Sequence, residues 1–189
     1  MKTGLILVDI QKDYFSGGRM ELVGMKEASE NARLILQFFR KKKWPIFHIQ
    51  HIAIKDGATF FLPNSQGIDI HKSVTPLPSE TVIQKHHPNS FLNTTLHEEL
   101  LKAGIESVVI CGAMSHMCID ATTRAAADLG FQCTIVHDAC ATKDLTFDGK
   151  AIPADMVHGA FMAALQPVYA NVMNSARFWM IQNLSNQPG

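Results

Sequence analysis

Short runs of uninterrupted apolar and β-branched residues recur along this chain, each followed by a stretch with helical spacing. "GLILVDI" (4–10) and "SVVICGA" (107–113) have no polar alternation. A strand with water on one face alternates, so these two are expected to be covered on both faces. Between them, 25–43 places Ala28, Ala32, Ile35, Leu36 and Phe39 on one helical stripe. "IFHIQHIAI" (46–54) and "TVIQK" (81–85) read as further strands, and "NTTLHEELLKAG" (93–104) as a helix. That helix has a capping-box pattern at Thr95 and Glu98 and a C′ glycine at Gly104. After a helix near Cys118 come "FQCTIVHDA" (131–139) and a helix from Pro153 with Val157, Ala160, Phe161, Ala164 and Leu165 inward. "VYANVM" (168–173) and "ARFWMIQNL" (176–184) close the alternation.

Strictly alternating elements of this length predict a three-layer α/β/α sandwich around a mostly parallel sheet, Rossmann-like in architecture. With 189 residues, 47% of them hydrophobic, the chain supports one domain over 1–189. Residues 55–79, "KDGATFFLPNSQGIDIHKSVTPLPS", break the pattern with Gly, Pro, Asn and Ser. An irregular insert of that length is expected to be a lid, a binding loop or an interface with another subunit.

Seventeen basic residues balance seventeen acidic ones, so no broad field attracts nucleic acid or an anionic membrane. The basic run Arg40–Lys43 closes a helix, where the dipole favours it. The first apolar run stops at Asp9, too soon for a signal h-region. No run approaches the roughly 20 residues of a membrane span. A cytoplasmic protein is expected. None of the four cysteines forms a C-x-x-C pair, which argues against a zinc ribbon or a thioredoxin-type motif. Cys111 and Cys133 lie in apolar strands and read as small core residues; Cys118 opens a helix.

In open parallel sheets, ligands bind beyond the carboxyl ends of the strands. Asp9, Lys85 and Cys118 each fall at or just past such an end. At a helix mouth the free N–H groups favour a thiolate at Cys118. A carboxylate at Asp9 can take and return a proton, and Lys85 would hold Asp9 ionised and lower the thiol pKa. A structural cysteine, a turn-capping aspartate and a surface lysine are the ordinary alternatives for each residue taken alone.

Together these segments resemble the isochorismatase-like cysteine hydrolases. "LVDIQKDYF" has the form D-x-Q-x-x-F, "KHHPNSF" resembles K-x-x-x-[SA]-F, and "GAMSHMCIDATTRAAADLGF" resembles the nucleophile segment, with "VHDACA" following. The resemblance implies a six-stranded parallel sheet, a homo-oligomer (dimer or tetramer) and a triad of Asp9, Lys85 and Cys118. It also implies a cis peptide at Ala113–Met114 and an oxyanion hole from the Met114 and Cys118 N–H groups. The implied chemistry is cysteine-dependent hydrolysis of a C–N, amide-type bond of a small molecule through a thioester, with no cofactor. Isochorismatases proper, which cleave a vinyl ether, generally lack the cysteine. Nicotinamidases carry a D-x-H metal motif, and here the matching residues are Ile49-Gln50-His51; with only His51 and His71 remaining, no metal site is expected. Phe15, Phe60, Phe91 and His116 are the candidate substrate-pocket residues. A catalytically idle oligomeric member of the fold, or a redox sensor using Cys118, is the competing reading.

Overall fold

A computed structural model describes residues 1–184, and within it the chain is a three-layer α/β/α sandwich. The C-terminal five residues of the expected domain, 185–189, lie outside the described part. The strands are β1 (Thr3–Val8), β2 (Ile46–His51), β3 (Thr81–Lys85), β4 (Ser107–Ala113), β5 (Gln132–Ala141), β6 (Leu145–Phe147), β7 (Lys150–Ile152) and β8 (Asn171–Met173). The helices are α1 (Met25–Lys42), α2 (Leu96–Lys102), α3 (Asp120–Asp128), α4 (Ala154–Leu165) and α5 (Ser175–Leu184). The main sheet runs β3-β2-β1-β4-β5-β8, with every neighbouring pair parallel.

The unbroken apolar runs follow from this layering. Leu5 and Leu7 face the cluster containing Ala32, Ile35, Leu36 and Phe39 of α1 and Phe178 of α5. Ile6 and Val8 face the opposite cluster, with Leu96 and Leu100 of α2, Ala126 of α3, and Met162 and Leu165 of α4. Each large aliphatic or aromatic side chain fully buried this way contributes about 1.5–3 kcal/mol. Cys111 lies in the first cluster and Cys133 in the second, as small core residues without disulfides.

Two local expectations are corrected and one element is added. Thr95 makes no side-chain cap to α2; Thr94 supplies it, its Oγ1 accepting from Leu96 N at 3.3 Å while donating to Ser90 O. On α4 the buried residues are Ala154, Val157, Met162 and Leu165, whereas Ala160 and Ala164 face outward. Small alanines have little burial to gain, and the larger Met162 sets the rotation of the helix. The sequence "LTFDGKAI" forms an antiparallel hairpin, β6–β7, that the periodicity reading passed over. Its signal is Asp148-Gly149: both residues have positive φ, 49° and 70°, as a two-residue primed turn requires.

The 55–79 insert folds back on its own chain. It contains short 3₁₀ turns at Gln66–Ile68 and Lys72–Val74, and Ile70 forms a bridge to Gln11. Phe61 and Val74 are fully buried in the α1-side core. Among the described residues no helix is long and apolar enough to cross a membrane.

Candidate active site

The strand order switches between β1 and β4: the chain winds outward from β1 to β2 and β3 on one side and from β4 to β5 and β8 on the other, and in open parallel sheets the carboxyl edge at such a switch point is where ligands bind. Asp9 follows β1 directly. Its backbone turns to φ 53°, a left-handed conformation that aspartate tolerates better than most residues but that still costs about 1–3 kcal/mol. The turn is held by Asp9 N donating to Ile49 O at 3.1 Å and Gln11 N donating to Asp9 O at 2.9 Å. Gln11 is fully buried and clamps the neighbouring strand end. Its Nε2 donates to His51 O (2.8 Å) and Ile68 O (2.9 Å), and its Oε1 accepts from His51 N (2.7 Å).

Lys85 ends β3, two strands away, in register with His51. Its Nζ lies 2.8 Å from Asp9 Oδ2, and both side chains are 0% exposed. The same Nζ donates to Pro88 O at 3.0 Å. That loop is tied to α3 because Ser90 N and Oγ both meet Thr122 Oγ1, at 3.1 and 2.7 Å. The lysine is thereby fixed relative to the helix that follows Cys118.

After β4 the chain crosses a cis Ala113–Met114 peptide and enters a π-helical turn, Ser115–Ile119, that runs directly into α3. Gly112, at φ 129°, makes the approach possible: a Cβ there would collide with the Val8 carbonyl of the paired strand. The turn is fastened from below. Ser115 Oγ donates to Ala141 O (3.2 Å) and contacts His158 Nδ1 (2.8 Å), while His116 Nδ1 contacts Thr142 Oγ1 (2.6 Å). Cys118 is 4% exposed.

Electrostatics correct one expectation about the thiol. Burial pushes Cys118 up to about 12, the Asp9 charge adds to the rise, and Lys85 only partly opposes it. In the free protein Cys118 is therefore a neutral thiol beside a carboxylate–ammonium pair, not the thiolate a helix mouth alone would favour. For Lys85, burial pulls the pKa down, yet the Asp9 carboxylate beside it outweighs that and leaves it raised. The donor atoms of Asp9, His51 and Cys118 all lie within 4.8 Å of one another.

The expected pocket residues divide. Phe15 stacks on His71, ring centroids 3.6 Å apart, and both line a cavity of about 390 Å³ with Lys12, Asp13 and Gly67. Phe60 packs against Tyr14 and Phe61 in the insert. Phe91 is engaged with Phe131 and His97 in the core on the α2 side. His116 turns to Thr142 and the edge of Phe161. A residue the sequence reading passed over is Tyr14. It is buried, and burial followed by the charges of Cys118, Asp9 and Asp13 pushes its hydroxyl well up. Its only sequence signal is its place within "DIQKDYF". The nicotinamidase-type donor set is not assembled: Ile49 is a core side chain, and His71 Nδ1 is engaged with Ser73 Oγ at 2.9 Å.

A doubly covered, six-stranded parallel sheet with this strand order is the architecture of the isochorismatase-like hydrolases. A crystal structure of an isochorismatase-type hydrolase from Oleispira antarctica superposes with a TM-score of 0.90 at 48% identity, covering 94% of this chain and 95% of that one. The Isochorismatase domain matches residues 3–177, and the chain belongs to that family. The isochorismatase family protein YddQ of Bacillus subtilis (strain 168) is 51% identical over 178 residues, 94% of this chain and 99% of that protein. The streptothricin hydrolase of Streptomyces noursei is 33% identical over 146 residues, which cover 75% of this chain and 50% of that protein. The chain is a hydrolase of the isochorismatase family.

Proposed function

We propose that this hydrolase cleaves a C–N, amide-type bond of a small molecule, with Cys118 as nucleophile, Asp9 as general acid–base and Lys85 as the charge that keeps Asp9 ready to accept a proton. The observation that carries the reading is the sealed Lys85–Asp9 pair, 2.8 Å apart, with the Cys118 sulfur within 4.8 Å of the Asp9 carboxylate. Similarity to a streptothricin hydrolase supports the bond type.

In the resting state the thiol keeps its proton, as its raised pKa requires. On substrate binding the proton passes to Asp9 and the sulfur attacks the carbonyl carbon. The negative charge moves to the carbonyl oxygen, received by the backbone N–H groups of Met114 and Cys118; one such donor is typically worth about 2.7–4 kcal/mol of barrier. Asp9 returns the proton to the departing nitrogen as the C–N bond breaks, leaving a thioester. Water, deprotonated by Asp9, then attacks the thioester; the acid leaves and the thiol regains a proton. Lys85 stays protonated throughout, so the carboxylate changes charge beside a fixed cation. The working unit in this reading is a homo-oligomer, which light scattering of the purified chain tests.

The test is ammonia or amine release from a panel of small amides, ureas and nicotinamide, measured for the wild type and for Cys118→Ala. Release by the wild type and none by a folded Cys118→Ala variant supports the reading. Undiminished release by that variant ends it.

A further inference from the structure

His51 is not needed for the chemistry above, yet its imidazole lies beside Asp9 and Cys118. Among the described residues, Asp9, His51 and Cys118 are the one group of three potential metal donors gathered closely, all within 4.8 Å. Gln11 holds His51 from both its backbone N–H and its carbonyl, so the ring is aimed by a buried clamp and not by chance of a loop. Asp9 Oδ2 is engaged by the Lys85 ammonium at 2.8 Å, whereas Oδ1 is shut away from solvent without a hydrogen-bond partner among the described residues. A fully buried acceptor left in that condition points toward an absent partner.

We propose that Asp9, His51 and Cys118 form a binding site for a borderline-soft divalent cation such as Zn²⁺, and that occupancy silences the nucleophile. Carboxylate oxygen, imidazole nitrogen and thiolate sulfur are the donor types zinc takes, and three of them leave a fourth position open to water. Zinc bonds of about 2.0–2.3 Å put tetrahedral donors about 3.4–3.8 Å apart. The trio therefore closes on the ion by about 1 Å, a motion available to the half-buried His51 side chain. On binding, the Cys118 proton leaves to water, one Zn–S bond forms, and the sulfur lone pair that would attack a carbonyl is taken up. Lys85 stays against Asp9 Oδ2 and leaves Oδ1 for the cation.

The neighbouring ammonium also sets the strength of the site. A fixed positive charge opposes the ion, so the site fills when metal is in excess and empties when a chelator is added. This is an inhibitory site and not a resident cofactor. It differs from a D-x-H set because the nucleophile itself is a ligand and Ile49, in the core, contributes nothing.

The binding claim does not rest on the amide reading; only the inhibitory consequence does. The test titrates chelator-treated protein with Co²⁺ and Zn²⁺ in the absence of any substrate. Co²⁺ should bring a near-ultraviolet thiolate-to-cobalt charge-transfer band saturating at one ion per chain, lost in Cys118→Ser. Calorimetry with Zn²⁺ should show His51→Ala and His51→Gln weakening binding at least about tenfold, with His71→Ala unchanged. Absence of the thiolate band, or equal Zn²⁺ affinity in the wild type and both His51 variants, overturns the site. Because no turnover is involved, the site can stand where amide hydrolysis fails, and the reverse. If the protein hydrolyses an amide, Zn²⁺ should stop it and chelator should restore it; full turnover with the site filled overturns the inhibitory role alone.

Discussion

Lys85 Nζ and Asp9 Oδ2 meet at 2.8 Å with neither side chain exposed to solvent, although they lie 76 positions apart in sequence and a whole strand lies between their strands in the sheet. Each charge has been taken out of water and is tolerable only because the other is there. Lys85→Met should therefore destabilise the fold by about 3–5 kcal/mol, since it leaves a buried carboxylate uncompensated. Asp9→Asn/Lys85→Met together should recover part of that loss, as read by chemical denaturation. Single and double variants of equal stability would show that the pair carries no coupling.

The thiol should titrate late. With burial holding Cys118 up to about 12, its alkylation by iodoacetamide in the free protein should be slow at neutral pH and still rising past pH 10. Site-resolved mass spectrometry of the labelled protein gives the profile. A plateau reached below pH 8 would mean a thiolate in the resting state.

Buried thiols also act on stability. Cys118, Cys133 and Cys140 are each raised from 9.0 to about 12, with burial the first cause. A raised folded-state pKa contributes stability that is fully present below the unfolded pKa and lost as pH climbs through the folded one. Stability should thus fall between pH 9 and pH 12, and Cys133→Ala should flatten the fall while costing core packing at neutral pH. Urea midpoints across that window measure it.

Glu80 sets the opposite limit. Burial raises its pKa, but hydrogen bonds from Arg40 (2.6 and 2.8 Å), Leu77 N and His48 win, and its carboxyl is lowered to about 2. A depressed folded-state pKa gives stability present above the unfolded value and lost as pH falls toward the folded one. The stability gap between the wild type and Glu80→Gln should therefore narrow by about 1–2 kcal/mol from pH 5 to pH 2, after allowing for the half-buried Arg40 partner. A gap constant across that range would sink the assignment.

Gly112→Ala should fail for reasons of backbone alone. At φ 129°, with the Val8 carbonyl where a Cβ would go, alanine must push β1 from β4 next to Asp9. A loss of more than about 2 kcal/mol is expected, together with loss of any activity the variant is assayed for. Gly149→Ala, in an exposed hairpin turn with open space around its Cβ, should cost less, because only the positive φ of 70° is strained.

Fold class was legible because burial on two faces leaves a mark in one dimension. Leu5, Ile6, Leu7 and Val8 are all apolar since alternate side chains enter different cores, and that pattern survives in the bare string. Strand ends were legible for the same reason, and with them the positions of Asp9, Lys85 and Cys118. The order of strands, the clamp of Gln11 on His51, the Thr122 tie to the Lys85 loop, and the inward turn of the 55–79 insert were not. Those depend on contacts between residues far apart in the chain, such as Gln11 with His51, Ser90 with Thr122 and Thr3 with Ser107, which leave no periodic trace. The state of the thiol was decided only in three dimensions. Sequence put Cys118 at a helix mouth, where a thiolate is favoured; packing then buried it beside Asp9, and desolvation together with the Asp9 charge outweighed the lysine. Residue types and periodicity decide which elements form and which chemistries are available, whereas the dielectric and the neighbours that govern a charge exist only once the chain has closed around it.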